Sequence, residues 1–66
     1  MSVRDEILRI LNERERVHLT ELAEIMGMPR ITLYDKLVKL ELRGLVTRER
    51  ERNGRGRPKT FWKLMR

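Results

Sequence analysis

The stretch Thr20 to Val46, TELAEIMGMPRITLYDKLVKLELRGLV, decides the fold. It reads as two helices that meet at a sharp turn and run into a strand. In the first helix Leu22, Ala23, Ile25 and Met26 recur at helical spacing as a core face, and Ala23 is small enough to admit a neighbouring helix. Thr20 offers an N-cap hydroxyl. Gly27 can adopt positive φ and Pro29 is tolerated where a helix starts, so the break falls between them. In the second helix Leu33, Leu37 and Leu40 make one buried stripe, with Arg30, Thr32, Tyr34, Asp35, Lys36 and Lys39 mostly outside it. Gly44 ends that helix as the residue beyond the cap.

Outward from this stretch the pattern stays helical before it and turns extended after it. Ser2 with Asp5 three residues on forms a capping arrangement. Val3, Ile7, Leu8, Ile10 and Leu11 then mark an amphipathic first helix ending near Asn12 or Glu13. The charged segment NERER is a solvated turn, and Val17-His18-Leu19 is a short strand. His18, the only histidine, is expected as an exposed strand residue, because a metal site needs several ligands and none are at hand. Glu21 suits the positive end of its helix, and with Glu24 gives that helix an acidic outer side. After Gly44, Val46 and the alternating charges Thr47 to Glu51 read as an edge strand whose outer positions are charged. Asn53 to Pro58 is a loop by composition, and Lys59 to Leu64, KTFWKL, returns as a strand. Trp62 and Leu64 share its core face, leaving Phe61 on the other.

Ala23, Gly27, Leu33, Leu37, Leu40 and the Gly44-Leu45-Val46 exit, followed by a basic hairpin, resemble the winged helix-turn-helix DNA-binding domains of MarR-like and ArsR-like bacterial and archaeal transcription regulators. The resemblance covers residues of about 3 to 64. It implies an α+β fold, a three-helix bundle with a small antiparallel sheet in the order α-β-α-α-β-β. Residues 1–66 then form one domain: helix about 3–13, strand 17–19, helix about 21–26, recognition helix about 30–43 and wing hairpin about 45–64.

Composition sets the outer limits. A chain of 66 residues is near the lower end of what folds unaided, since so small a body buries only about 60% of its unfolded surface. A large catalytic cleft is not expected. There is no cysteine, which excludes disulfides and thiolate ligands. No apolar run approaches the ~18 residues of a membrane span and no signal peptide opens the chain, so a cytoplasmic, nucleoid-associated protein without membrane contact is expected. The absence of glutamine, the two asparagines and 39% charged residues suit a thermophile.

Net charge is +6, but its placement carries more information. Residues 1–42 hold seven Lys/Arg against eight Asp/Glu, whereas residues 43–66 hold nine against two. A basic excess confined to the last third indicates a local anion-binding face, with nucleic acid the commonest large partner. No Ser/His/Asp set, carboxylate pair, phosphate-cradling glycine loop or ligand cluster is present, so no enzyme activity, metal or cofactor is expected.

The resemblance implies double-stranded DNA as the partner and a division of labour on it. Arg30, Ile31, Thr32, Tyr34, Asp35, Lys36 and Lys39 belong to the recognition helix and reach into the major groove. Arg30 is the foremost candidate for a guanine. Asp35 would repel phosphates and is expected to pair with Lys39 one turn on. Arg52, Arg55, Arg57 and Lys59 belong to the wing, on phosphates and, because RGRP resembles an AT-hook core, in an adjacent minor groove. The family usually acts on promoters as a homodimer. This chain has almost none of the helices such relatives add for dimerisation or effector binding, which argues against a small-molecule effector. Two rivals remain open: an architectural protein binding DNA without sequence preference, and a winged helix used as a protein-interaction or RNA-associated module.

Overall fold

The computed structural model describes residues 2–51 and 59–65. The elements run α1 (Val3–Glu13), β1 (Val17–His18), α2 (Leu19–Met26), α3 (Arg30–Leu42), β2 (Val46–Glu51) and β3 (Lys59–Leu64), which is the expected order. Ser2 caps α1, its Oγ accepting from the Asp5 amide at 3.2 Å, and Asp5 and Glu6 place negative charge in the first turn. The three strands form one antiparallel sheet in the order β1-β3-β2, so both β1 and β2 are edges. Register pairs Val17 with Trp62, and Val46 with Leu64.

One core joins these layers. Ile7, Ile10 and Leu11 of α1, Leu22 and Ala23 of α2, and Leu33, Leu37 and Leu40 of α3 close over Val17, Val46 and Trp62 of the sheet. Trp62 is the largest side chain in it and is 1% exposed. Burying a large apolar side chain contributes roughly 1.5–3 kcal/mol, so this set carries most of what holds so small a body together. The exposed ion pairs Arg9–Glu13 at 3.1 Å and Arg14–Glu21 at 2.7 Å add little by comparison.

Both helix exits around the central turn close with the same hydrogen-bond pair. At the end of α2, Gly27 has φ 64°, its amide donates to the Glu24 carbonyl, and the Met28 amide reaches back to Ala23 at 3.1 Å. At the end of α3, Gly44 has φ 75°, with Gly44 donating to Glu41 and Leu45 to Leu40, each at 3.0 Å. These six-to-one and five-to-two bonds satisfy carbonyls that the helices would otherwise leave open.

Three local expectations are corrected. The cap of α2 is His18, not Thr20: the helix begins at Leu19, and His18 Nδ1 accepts from the Thr20 amide at 3.2 Å. His18 is therefore half-buried and structural, and its ring also meets Phe61 edge-on at 5.7 Å. Ile25, read as core, is 43% exposed, because the inward face of α2 is centred on Leu22, Ala23 and the half-buried Met26, and at about 100° per residue Ile25 falls on its margin.

Candidate nucleic-acid interface

The buried stripe of α3 leaves three other sectors at about 100° per residue. On the side next to β2 stand Tyr34 and Glu41. Opposite the core stand Ile31, Asp35 and Leu42, with Ile31 86% and Leu42 83% exposed. On the side away from β2 stand Thr32, Lys36, Lys39 and Arg43.

The expected recognition residues divide among these sectors. Arg30 and Thr32 are exposed in the first turn, which Pro29 starts with φ −62°. Asp35 pairs with Lys39 at 3.2 Å, so its charge is answered within the helix. Tyr34, only 41% exposed, is committed to the protein: its hydroxyl accepts from Arg48 Nη1 at 3.2 Å and its ring meets Trp62 edge-on at 6.1 Å. Lys36 is half-buried on the flank remote from Tyr34. Of the wing residues, Lys59 is exposed and in register with Glu51, whereas Arg52, Arg55 and Arg57 lie outside the described residues.

A cluster that the sequence reading did not single out joins the hairpin to α3. Arg48 of β2 donates from Nε at 3.1 Å and Nη2 at 2.8 Å to the two carboxylate oxygens of Glu41. Its guanidinium also lies 5.0 Å from the Trp62 ring centroid and 5.7 Å from that of Tyr34. The Arg48 hydrogen bonds hold the Glu41 carboxyl below its ordinary range, while Glu41 and then Tyr34 raise the Arg48 guanidinium above its own. The signal was present in the alternation of the strand. Val46, a core residue, sets the inward face, and Arg48 and Arg50 follow it at two-residue steps. The sequence reading places charge on the outer positions of this edge strand and names no partner for Arg48.

The opposite face of the sheet disposes of the acids. Glu49 accepts from Lys63 at 3.0 Å and from Arg16 at 3.1 Å, and Arg16 also reaches Glu51 at 2.7 Å. Lys63, and secondarily Arg16, hold the Glu49 carboxyl below its ordinary range. Arg16 stacks over Phe61 at 4.3 Å, covering the aromatic that faces away from the core. Both β2 carboxylates are thus answered on the side remote from α3, and Arg50 remains exposed on the side that follows it.

Three helices, the short turn between the second and third, and a hairpin fastened to the flank of the third define a winged helix-turn-helix domain. Residues 6–64 match the family model described as the sugar-specific transcriptional regulator TrmB, and the chain belongs to that family of transcriptional regulators. Its fold is similar to that of the transcriptional regulator homologue protein from Pyrococcus horikoshii OT3, with TM-score 0.83 and 22% identity over 94% of this chain. The chain spans 60% of the length of that homologue. No curated protein matches the chain. No helix among the described residues is long and apolar enough to cross a membrane.

Proposed function

We propose that this chain is the DNA-reading part of a transcription regulator, placing α3 in the major groove and the arginine-rich wing on the backbone and the adjacent minor groove of a double-stranded site. The observation that carries the reading is the Arg48–Glu41 fastening. It fixes the base of the hairpin to α3 at Glu41, near the end of the helix, and the same guanidinium reaches Tyr34 two turns nearer its start, which supports reading helix and hairpin as one binding surface. Arg30, Ile31 and Thr32 supply base contacts at the exposed first turn. Arg52, Arg55, Arg57 and Lys59, with Arg50, supply phosphate and minor-groove contacts. Lys36 and Lys39 meet backbone, with Asp35 neutralised by its pair. Tyr34 acts chiefly as part of the fastening.

We take the working form to be a homodimer inside the cell, since one module of this size buries limited surface on DNA. Neither a cofactor nor catalysis enters the mechanism. Selection of bound sequences from a random duplex pool tests it. An enriched motif supports a regulator, and a palindromic one also gives dimer symmetry and half-site spacing. Binding without enrichment assigns the chain to architectural DNA binding, and no binding in dilute buffer rejects DNA as the partner.

A further inference from the structure

A duplex groove has two backbone walls, and the wing accounts for one. The flank of α3 turned away from β2 borders a shallow depression of about 160 Å³ lined by Lys36, Lys39, Leu40 and Arg43 of α3 and by Arg4 from the first turn of α1. Four cations surround a leucine floor, and no carboxylate is among the lining residues. This differs from the rest of the α1 surface, where Arg9 is paired with Glu13 and the following turn sends Arg14 to Glu21.

Nothing in the fold requires these charges to converge. Among the described residues Lys36 and Arg43 enter no ion pair. Arg4 has only its neighbour Asp5 at 3.8 Å, and Lys39 alone has a close partner, Asp35. Like charges gathered on one patch repel each other, an arrangement that an anion relieves. Lys36, Lys39 and Arg43 follow one another at steps of three and four, so they line the helix flank as a row. An α-helix with side chains is about 10–12 Å across and the major groove about 12 Å wide, so a seated helix brings both flanks to phosphate distance.

We propose that Arg4, Lys36, Lys39 and Arg43 form a second backbone-phosphate site, on the groove wall opposite the wing, which draws α1 into the DNA interface. The proposal rests on the DNA reading above and adds Arg4 and Arg43 to it. These side chains hold phosphate by charge and carry no base preference, whereas the first turn of α3 reads sequence.

The test compares three forms of the chain on one duplex across a range of salt: wild type, an Arg4→Ala/Arg43→Ala double variant, and an Arg9→Ala/Arg14→Ala double variant that removes the same net charge elsewhere. For the first double variant the slope of log K against log salt is expected to fall by about 1.8, and affinity near 0.1 M salt by at least about tenfold. Its selected sequence preference stays that of wild type, because neither side chain reads bases, and its melting temperature does not fall, because both side chains are exposed and stand among like charges. The control variant keeps a nearly wild-type slope. Equal slopes in the two double variants overturn this site while leaving the DNA reading intact. Failure of wild type to bind any duplex removes the DNA reading, and this site with it.

Discussion

The guanidinium of Arg48 lies edge-on to the carboxylate of Glu41, two donors facing two acceptors at 3.1 and 2.8 Å across the junction of β2 and α3. Both side chains are about a third exposed, at 34% and 27%, so solvent screens part of their attraction. Paired geometry, the Tyr34 hydroxyl and the Trp62 ring supply the remainder.

Arg48→Ala is expected to destabilise the fold by about 1–2 kcal/mol, lowering the melting temperature by roughly 4–8 °C for each kcal/mol at this size. Arg48→Lys restores little, because an ammonium cannot present the planar pair of donors. Thermal denaturation followed by circular dichroism measures both. An alanine variant that melts with wild type would mean that the hairpin is held by the Trp62 core alone.

Acid titration gives a second check on the same pair. Glu41 has its carboxyl lowered from 4.5 in the folded state, so its contribution is fully present above that value and is lost as pH falls through the folded one. Stability should therefore rise with pH across the acid limb. Glu49, also lowered, contributes in the same direction, so the diagnostic quantity is the difference between wild type and Glu41→Gln. That difference is expected to shrink in urea titrations as pH falls from 4.5 through the lowered folded value, because the wild-type carboxyl then becomes neutral as well. Parallel curves from pH 3 to pH 6 would contradict the assignment.

His18 joins the sheet to α2 by capping the helix from within β1. His18→Ala should cost about 0.5–1 kcal/mol, and His18→Asn, which keeps a side-chain acceptor, should recover most of it. Hydrogen exchange of the Thr20 amide localises the effect. An unchanged exchange rate in the alanine variant would show that the cap contributes nothing.

Ile31 is 86% exposed with no core to serve, and under the DNA reading its natural contact is a thymine methyl group. Replacing thymine by uracil at the contacted position of a selected site should weaken wild-type binding by a few-fold and leave an Ile31→Ala variant indifferent. The cycle is read by fluorescence anisotropy with labelled duplexes. Additive losses would mean that Ile31 touches no methyl group.

The core stripe of α3, the glycine exits at Gly27 and Gly44 and the Ser2 cap were legible because each depends on near neighbours in sequence. The same holds for the Asp35–Lys39 pair, one helical turn apart. The Arg48 fastening was not legible in that way. Whether a charged strand residue points to solvent or to a helix depends on what stands opposite, and here that is set by the packing of Tyr34 over Trp62. The depression at Arg4 and Arg43 escaped for a related reason, since its parts come from opposite halves of the chain. The cap of α2 was displaced by two residues because a histidine nitrogen can replace a hydroxyl as acceptor.

The pairing of Val17 with Trp62 and of His18 with Phe61 ties two distant decisions into one. If β3 slid by a single position, Trp62 would swing outward and the residue guarding the first turn of α2 would lose its place beside Phe61. A half-correct alignment therefore forfeits both the largest interior side chain and a helix start. For a chain this short, that double penalty works as a proofreading device, removing near-miss hairpins from the competition.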